Sequence, residues 1–431
     1  MGSADCGQRT EGGMSAASLS SSTGASQDPD APGAWPGQPP VASRALRRLL
    51  DSAFSVEELR LLAKRRLPKA IFDFYEGGAE TESTLRANRA AFQNHALIPR
   101  FLVDVSGVDT ATLLLGNRSA MPLAISPTGA VGFGWPKGDV AIARAARAAG
   151  VPYTLPTSST SAIERVARDA DGARLWFQAY MLRKQAFTFG LIQRALRAGY
   201  EALIITVDMP TGGKRERDLR NDFGLPFRFT RRNVPGFAAR PGWVWSQWRN
   251  GLPQLENLIG FTPEAVDAKS IASSVGKSYD SSFDWDGLAR LRDLWPRKLM
   301  VKGILHPDDA RRAADLGCDG VIVSNHGGRQ LDGAIATLDA LPAIVAAAGT
   351  RLDVLMDGGV RRGADIVKAL ALGAKGVMVG RPLLYGVSAG GEEGAARALY
   401  ILQDELTRCM RLSGIASVSE IRQSLLSTSK Q

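Results

Sequence analysis

From Met121 onward the chain repeats one unit, a short apolar run followed by a helical pattern rich in Ala, Leu and Arg. There are eight such runs, and each is continuously apolar, which is typical of strands buried on both faces of a parallel sheet. Eight strand–helix units in series predict an α/β fold, a (β/α)8 or TIM barrel. An open doubly wound sheet is disfavoured, because no G-x-G-x-x-G fingerprint is present. The runs are Met121–Pro127, Val151–Thr157, Leu175–Tyr180, Ala202–Asp208, Lys298–Gly303, Gly320–Gly327, Val354–Gly359 and Gly376–Arg381.

One gap in this series is much longer than the others. The runs begin 22 to 34 residues apart, but 96 residues separate the starts of the fourth and the fifth. Since long loops of barrels carry function, we predict an insertion at residues 225–285, on the catalytic face. Residues 1–43 also differ from the rest, because 27 of them are Gly, Ser, Ala or Pro. Such a stretch buries too little apolar surface to offset its chain entropy, so we predict a disordered tail, 1–43, before one barrel domain, 44–431.

Composition and charge exclude several classes of protein. Hydrophobic residues make up 45% of the chain, which is enough for a large core. The three cysteines are too few and too scattered for a disulfide framework or a zinc cluster, so we expect no metal site and a reducing, cytoplasmic compartment. No run of 18 apolar residues is present, and the N-terminus lacks the apolar core of a secretory signal. The net charge of +10 leaves nucleic acid, an anionic membrane and acidic small molecules open as partners.

Polar residues end nearly every predicted strand, at the face where barrel enzymes carry their active sites. We therefore predict that a large polar ligand fills the mouth of the barrel. After the last two strands, glycine-rich turns at Asp357–Gly363 and Gly380–Arg381 each carry an arginine, which predicts a phosphate site. The alternative for either turn alone is a tight turn with a surface arginine. The other polar strand ends are Thr128, Gly129, Gln178, Tyr180, Thr206, Asp208, Lys302 and Ser324–Arg329.

His326 is the strongest candidate for a catalytic base, since it alone of the three histidines ends a strand, and glycines follow it. The other two are interpreted as ordinary core or surface histidines. A basic imidazole needs a carboxylate to hold its tautomer, and Asp208 at another strand end is the candidate. Arg215 and Arg329 are predicted to clamp a substrate carboxylate, a geometry that suits arginine better than lysine.

Two strings resemble a known family, SNHGGRQLD at Ser324–Asp332 and DGGVRRG at Asp357–Gly363. They are similar to signatures of the FMN-dependent 2-hydroxy acid dehydrogenase and oxidase family, and the similarity runs from about Leu67 to Ser413. The resemblance implies a barrel that holds FMN and oxidises an (S)-2-hydroxy acid to the 2-keto acid. Further strings that resemble the mandelate dehydrogenase branch of the family are WPKGD at Trp135–Asp139, KRERDL at Lys214–Leu219 and LRDLWPRKLMVKG at Leu291–Gly303.

The resemblance also implies a role for each strand-end residue. His326 would act as the base with Asp208 as its partner, and Tyr180 would hydrogen-bond the substrate hydroxyl. The two arginines would hold the substrate carboxylate. Lys302 would stabilise negative charge on the flavin, which a charge argument also supports. The residues implied to bind the ring, ribityl chain or phosphate of FMN are Pro127, Thr128, Gly129, Thr157, Gln178, Thr206, Lys302, Ser324, Asp357, Gly359, Arg361, Gly380 and Arg381.

Some positions near the implied site depart from the family pattern. Phe74 replaces a tyrosine that helps most members bind the substrate carboxylate, so binding should weaken while the chemistry is spared. Pro156 replaces a serine that touches the flavin, and Thr157 is the candidate substitute. Ser158 stands where glycolate oxidase has a bulky tryptophan, which favours an aryl or larger aliphatic substrate. Gly129 favours a dehydrogenase weakly, since many oxidases of the family have alanine there.

Residues 225–260 of the insertion are basic and rich in tryptophan. They contain five arginines, one glutamate and three tryptophans, followed by several apolar residues. This composition predicts an interfacial anchor. The family resemblance implies that the anchor lies peripherally on the inner face of the cytoplasmic membrane and that a quinone or another membrane acceptor takes the electrons. The alternative is a lid over the barrel mouth with its tryptophans packed inward. Nucleic acid is disfavoured, because the arginines share no repeat and lie beside a flavin site.

The sequence therefore predicts FMN-dependent oxidation of an (S)-2-hydroxy acid, aryl and mandelate-like, with electrons passed to a membrane acceptor. An L-lactate dehydrogenase and a peroxide-forming oxidase stay open as alternatives, and a phosphate-binding barrel without catalysis is a third. The resemblance implies a homo-oligomer, a tetramer by family habit.

Overall fold

Eight parallel strands form a closed barrel in the computed structural model, in the order in which they occur along the chain. The structure describes Gly2 and residues 43–224, 227–261 and 278–428. The strands are β1 (Leu123–Ile125), β2 (Tyr153–Pro156), β3 (Leu175–Tyr180), β4 (Ala202–Thr206), β5 (Lys298–Ile304), β6 (Gly320–Val323), β7 (Asp353–Met356) and β8 (Gly376–Val379). Pairing of β8 with β1 closes the cylinder. The predicted (β/α)8 fold is confirmed.

Helices precede the barrel and follow each of its strands. The first four, α1 (Arg44–Asp51), α2 (Val56–Arg66), α3 (Lys69–Glu76) and α4 (Ser83–Ala90), come before β1. Those that follow the strands are α5 (Gly138–Ala148), α6 (Ile163–Asp169), α7 (Gln185–Arg197), α8 (Glu216–Arg220), α9 (Val234–Ala238), α10 (Pro241–Asn250), α11 (Trp285–Leu294), α12 (Pro307–Asp315), α13 (Thr337–Ala348), α14 (Gly363–Ala371) and α15 (Arg381–Leu412). Four of these, α8 to α11, lie between β4 and β5, where the insertion is predicted.

A hairpin covers the N-terminal end of the barrel. Its two short strands, Thr112–Leu114 and Asn117–Ser119, pair antiparallel. Leu114 and Leu115 are buried in the same cluster as the barrel interior, and Leu115 N donates to Asp353 Oδ2 at 2.8 Å. The hairpin therefore leaves the C-terminal face as the open end. The barrel residues of this cluster are Ala124, Trp176, Ala202, Ile204, Met300, Ile322, Leu355 and Met378.

The first described helix begins at the end of the predicted tail. Ser43 Oγ accepts a hydrogen bond from Leu46 N at 3.2 Å, which caps α1. The predicted disordered tail, 1–43, otherwise lies outside the described residues, apart from Gly2. From Ser43 onward the described residues belong to one compact unit, Gly37–Gln431. The division into a tail and a domain 44–431 stays a prediction.

The insertion is partly helical. Its described parts are residues 227–261, which contain α9 and α10, and residues 278–285, whereas residues 225–226 and 262–277 lie outside the described chain. The insertion returns to the barrel at Asp284, whose side chain accepts from Gly287 N and caps α11. Within the described residues, no helix is both long and apolar enough to cross a membrane.

Candidate active site

A cavity that is open to solvent lies at the C-terminal ends of the barrel strands. This is the face on which TIM barrels carry their active sites. Four predicted residues, Asp208, Thr157, Gln178 and Ser324, do not line it but hydrogen-bond to residues that do. The predicted residues that line the cavity are Pro127, Thr128, Gly129, Tyr180, Thr206, Arg215, Lys302, His326, Arg329, Asp357, Gly359, Arg361, Gly380 and Arg381.

His326 follows β6 and is held by hydrogen bonds on both ring nitrogens. Its Nδ1 lies 2.9 Å from Asp208 Oδ1, and its Nε2 lies 3.4 Å from the Tyr180 hydroxyl. The backbone of His326 has a φ of 58°, a left-handed conformation that is uncommon outside glycine and often marks functional sites. Since an ionised carboxylate can only accept, Asp208 keeps the proton on Nδ1 and leaves Nε2 able to take one.

The protonation states of the partners of His326 fit this arrangement. Burial disfavours a charged Asp208, but the neighbouring His326 and Lys302 outweigh burial and lower the pKa of Asp208 below its usual value. Burial raises the pKa of Tyr180 well above that of a free phenol. At neutral pH the imidazole of His326 therefore lies between an ionised carboxylate, Asp208 at Nδ1, and a neutral phenol, Tyr180 at Nε2.

Two arginines meet at the ring of Phe74. The guanidinium carbons of Arg215 and Arg329 lie 5.4 and 5.3 Å from its centroid. Arg215 Nε lies 3.2 Å from Asp218 Oδ2, whereas Arg329 forms no ion pair within the described residues and donates to the carbonyls of Phe74 and Gly77 at 2.8 and 2.7 Å. Burial and the neighbouring arginines lower the pKa of Arg329. Positive charge that is not neutralised here favours an anionic ligand.

Tyr279 is a cavity residue that the sequence analysis missed. Its ring packs on Tyr180 with centroids 5.0 Å apart, and burial raises the pKa of its phenol. The segment that carries Tyr279 is hydrogen-bonded to the chain that follows β3. Arg183 N donates to Ser278 O and Asp280 N donates to Met181 O, both at 2.9 Å. Nothing in the sequence pattern places this residue at the barrel mouth, since it lies at the end of the insertion.

Lys302 is a buried cation at the end of β5, with only 3% of its surface exposed. Its Nζ lies 2.6 Å from Ser324 Oγ and 3.0 Å from Asp357 Oδ2. The second oxygen, Asp357 Oδ1, is buried and has no hydrogen-bond partner in the described part of the chain. The pair is therefore charge-balanced but leaves one carboxylate oxygen ready to accept from a ligand.

Other buried polar atoms at or next to this cavity that lack partners among the described residues include Gln178 Oε1 and Thr128 Oγ1. Gln178 Nε2 donates to Thr206 Oγ1 at 3.0 Å, so its orientation is fixed. Buried polar atoms without partners are rare in native proteins, and several around one cavity indicate a polar ligand. The Thr157 hydroxyl is used differently, because it donates to Gln178 O and accepts from Tyr180 N, which ties β2 to β3.

The turns after β7 and β8, which are predicted to bind phosphate, both line the cavity. Gly358 and Gly359 both have a φ of 92°, and a Cβ on Gly359 would lie 2.1 Å from Asn88 O. Only glycine fits this turn. Gly380 is the N-cap of α15, and Arg361 lines the same cavity. A glycine turn, a helix N-terminus and an arginine are the recurrent parts of a phosphate site.

Arg381 lines the cavity, but its guanidinium is bonded to backbone carbonyls. It donates to Tyr75 O, Gly327 O and Gly77 O at 3.1, 3.0 and 2.9 Å. Burial lowers the pKa of Arg381. These bonds join α3 and the turn after β6 to the start of α15, a structural role that the sequence analysis did not foresee.

Comparisons with known proteins agree with this geometry. The chain matches the family described as FMN-dependent dehydrogenase over residues 63–428. It is 44% identical to (S)-mandelate dehydrogenase of Pseudomonas putida over 86% of this chain and 93% of the relative. It is 42% identical to L-lactate dehydrogenase of Caulobacter vibrioides over 86% of this chain and 97% of the relative. The crystal structure of the monotopic membrane protein (S)-mandelate dehydrogenase matches with a TM-score of 0.81 and 43% identity, covering 87% of this chain and 99% of that one.

These findings bear out the family resemblance, the need for FMN and the oxidation of a 2-hydroxy acid. They also set aside the alternative of a barrel without catalysis. The chain belongs to the FMN-dependent dehydrogenase family and is an FMN-dependent 2-hydroxy acid oxidoreductase.

Proposed function

We propose that the chain oxidises an (S)-2-hydroxy acid with an aryl side chain to the 2-keto acid and passes the electrons to a membrane acceptor such as a quinone. The observation that carries the chemistry is the 2.9 Å contact between His326 Nδ1 and Asp208 Oδ1, in the same site as two arginines. A base, His326, near two arginines that can bind an anion, Arg215 and Arg329, suits a substrate whose hydroxyl is adjacent to a carboxylate.

The polar residues at the strand ends around the active-site cavity fit FMN. When bound there, FMN takes up the two electrons that leave the substrate. Gln178 Oε1 and Thr128 Oγ1, which lack partners among the described residues, would bind the polar edge of the ring system. Asp357 Oδ1 would accept from the ribityl chain, and Lys302 would balance negative charge on the ring. The residues proposed to hold the phosphate are Gly359, Arg361 and Gly380.

His326 is proposed to remove the proton of the substrate hydroxyl through Nε2. Asp208 would then stabilise the imidazolium, at a distance of 2.9 Å. The Tyr180 phenol, 3.4 Å from Nε2, would hydrogen-bond the oxygen that loses the proton. Arg215 and Arg329 would hold the carboxylate. With hydroxyl, carboxylate and side chain each directed to a different wall, only one enantiomer can present its α-hydrogen to the flavin.

The remaining wall supports an aryl side chain. Phe74, Phe223, Leu255 and Tyr279 line the cavity with apolar and aromatic surface, and the small residue Ser158 lines the same cavity. Burying a phenyl ring against such a wall stabilises the complex by about 25 cal/mol per Å² of apolar surface removed from water. L-lactate is the second candidate, because the L-lactate dehydrogenase relative is 42% identical over the same share of the chain.

Steady-state turnover of the purified protein tests the substrate and the acceptor together. We expect kcat/KM for (S)-mandelate to exceed that for L-lactate by at least about tenfold, since the larger buried ring should contribute more than about 1.4 kcal/mol. We also expect a short-chain quinone to be reduced faster than oxygen is converted to peroxide. A preference for lactate would establish the second candidate, and dominant peroxide formation would make the chain an oxidase.

The insertion supports attachment to a membrane surface. Trp245 and Trp248 stack with centroids 5.0 Å apart and are 60% and 74% exposed. Trp243 packs inward instead, and its Nε1 donates to Phe133 O at 2.7 Å. Exposed aromatic, aliphatic and basic residues on one segment are typical of an interfacial anchor. The other exposed apolar or basic side chains of the segment are Phe229, Val234, Val244, Leu252, Ile259, Arg228, Arg231, Arg232 and Arg249.

Replacing Trp245 and Trp248 by serine is expected to move the protein from the membrane pellet to the supernatant. Each tryptophan would contribute roughly 1.5 kcal/mol on burial in the headgroup region, so the pair should change the partition coefficient about 100-fold. Co-sedimentation with vesicles of anionic phospholipid measures it. Phe54→Ser, which removes an equally exposed aromatic outside the insertion, is the matched control. Unchanged sedimentation of the double variant would refute the anchor.

An apolar loop elsewhere supports the proposed homo-oligomer. Ile98, Phe101 and Leu102 are 49%, 77% and 107% exposed and lie within five residues of one another. A concentrated apolar patch of this kind is typical of a surface that contacts another protein chain. A second copy of this chain is the partner we propose.

A further inference from the structure

A second cavity lies against the insertion and shares no lining residue with the active-site cavity in the part of the chain that the structure describes. Its walls come from the turn after β1, the turn after β2 and the end of α10 with the segment that follows. Residues of these three segments that line it include Gly132, Ser161, Gln247, Leu252 and Ile259.

Two hydrogen-bonded turns separate the two cavities. Gly129 and Ser158 line the first, and Gly132 and Thr160 line the second. The turns are joined by Ala130 N to Ser158 O at 2.9 Å and by Gly132 N to Thr160 Oγ1 at 2.8 Å. Gly129 and Gly132 are three residues apart, so at most about 11 Å of chain lies between them. The two cavities therefore lie next to each other.

The second cavity has buried polar atoms that no described residue satisfies. Gln247 is 4% exposed and Ser161 is 1% exposed, yet Gln247 Oε1 and Ser161 Oγ lack partners within the described ranges. Gln247 is held in place, because its Nε2 donates to Gly132 O at 3.4 Å. A hydroxyl donor and an amide acceptor match a ring that has carbonyl oxygens when oxidised and hydroxyl groups when reduced.

The rim of the second cavity is apolar and exposed. Leu252 and Ile259 line it and are 49% and 64% exposed, and the exposed pair Trp245 and Trp248 lies on the preceding helix. Lys137 and Arg165 also line it, and Arg165 is paired with Glu256 at 3.0 Å. An opening bordered by exposed apolar and basic side chains suits a ligand that arrives from an anionic lipid surface.

We propose that this second cavity binds the ring of a membrane quinone and is the site at which electrons leave the protein. The proposal rests on the proposed function, in which a quinone is the acceptor. The substrate loses two electrons and two protons as it becomes the keto acid, and the quinone gains two electrons and two protons as it becomes the quinol. Ser161 donates to a quinone carbonyl, and Gln247 Oε1 accepts from a quinol hydroxyl.

Photolabelling of the intact, FMN-loaded protein with an azido-benzoquinone locates the site without reference to activity. We expect the labelled residues to be among those that line the second cavity, within 132–137, 160–165 or 247–254 or at Glu256 or Ile259, and we expect labelling to be lost when decyl-ubiquinone is present in excess. Labelling at Met209 or Phe223, which line the first cavity, or outside both cavities would overturn the proposal.

Two variants test the same site by kinetics. Ser161→Ala and Gln247→Met should each raise KM for decyl-ubiquinone about three- to tenfold, the effect of one lost hydrogen bond. The anaerobic rate of flavin reduction by (S)-mandelate and turnover with ferricyanide should stay unchanged. Gln423→Met, at an exposed glutamine outside both cavities, is the matched control. An unchanged quinone KM in both variants would overturn the proposal.

Different results would refute the quinone as acceptor and the second cavity as its binding site. If the unmodified protein does not reduce decyl-ubiquinone at all, the acceptor in the proposed function is wrong, and photolabelling still decides whether the second cavity binds quinones. If the protein reduces the quinone but neither labelling nor the variants implicate Ser161 and Gln247, the proposed function stands and the second cavity is not the exit site.

Discussion

Replacing His326 by asparagine or alanine is expected to slow flavin reduction by the substrate between about 100- and 10,000-fold, the range for loss of a general base. The reason is geometric. His326 Nε2 faces Tyr180 across the cavity, while Nδ1 is fixed by Asp208 at 2.9 Å. Asparagine tolerates the φ of 58° at this position better than alanine, so it separates loss of the base from backbone strain. Anaerobic stopped-flow absorbance measures the rate.

FMN should remain bound in the His326 variants, because the polar atoms that fit the cofactor lie on other residues, among them Gln178, Lys302 and Asp357. The matched control is His306→Asn, at an exposed histidine that caps α12 and lies outside the cavity. If the His326 variants reduce flavin at the rate of the unmodified protein, the base is elsewhere.

Replacing Arg329 by methionine is expected to lower kcat/KM for the hydroxy acid about 30- to 5,000-fold. Truncating one partner of a buried, hydrogen-bonded charge pair costs about 2–5 kcal/mol, which converts to that range. Arg329 is the cation near Phe74 without an ion-pair partner among the described residues, so the substrate carboxylate is its natural partner. Arg215 is paired with Asp218 and can replace it only in part.

The effect of Arg329→Met should appear mainly in the KM for the substrate, with flavin content unchanged. Arg329→Lys should recover part of the lost kcat/KM, since lysine keeps the positive charge but cannot form a bidentate pair of hydrogen bonds with the carboxylate. Arg220→Met serves as the matched control, because Arg220 is an exposed arginine paired with Glu216. A variant that binds the hydroxy acid normally but loses FMN would reassign Arg329 to the cofactor.

The positions of the strands could be predicted because a parallel barrel requires eight runs that are apolar throughout. β3 spans Leu175–Tyr180, as the pattern indicates. Most of the other strands are shorter than their apolar runs, because the ends of the runs form the turns that carry the site. In the first run, for example, Pro127 follows β1 and lines the cavity.

The hairpin that covers the barrel could not be predicted from local pattern. Its turn residues, Leu115 and Gly116, both have positive φ, of 54° and 82°. Leucine is an unusual residue for such a turn, and it is tolerated because the side chain of Leu115 packs into the barrel interior. That contact is long-range, so no short window of sequence contains the signal.

The sequence predicted which residues lie around one cavity more readily than it predicted the contacts between them. Strand ends placed Lys302, Asp357 and His326 around one cavity, because parallel strands of a barrel all end on one face. Tyr279 was missed, since its position depends on how the insertion returns to the barrel. Arg381 was predicted to face a phosphate, whereas its bonds to three carbonyls become visible only when α3 and α15 are seen together.

The orientation of the tryptophans also depended on the fold. Composition predicted either an exposed anchor or an inward-packed lid, and α10 has residues of both kinds. Trp243 is 2% exposed, whereas Trp245 is 60% exposed two residues later. Positions two apart on a helix point in different directions, and only the packing against Phe133 decides which of them is buried.

Anaerobic mixing of the purified, FMN-containing protein with (S)-mandelate tests the central claim most directly. We expect rapid loss of the visible flavin absorption, formation of one keto acid per flavin, and no comparable reaction with the (R)-enantiomer. Equal reaction of both enantiomers, or no loss of absorption with any 2-hydroxy acid, would contradict it.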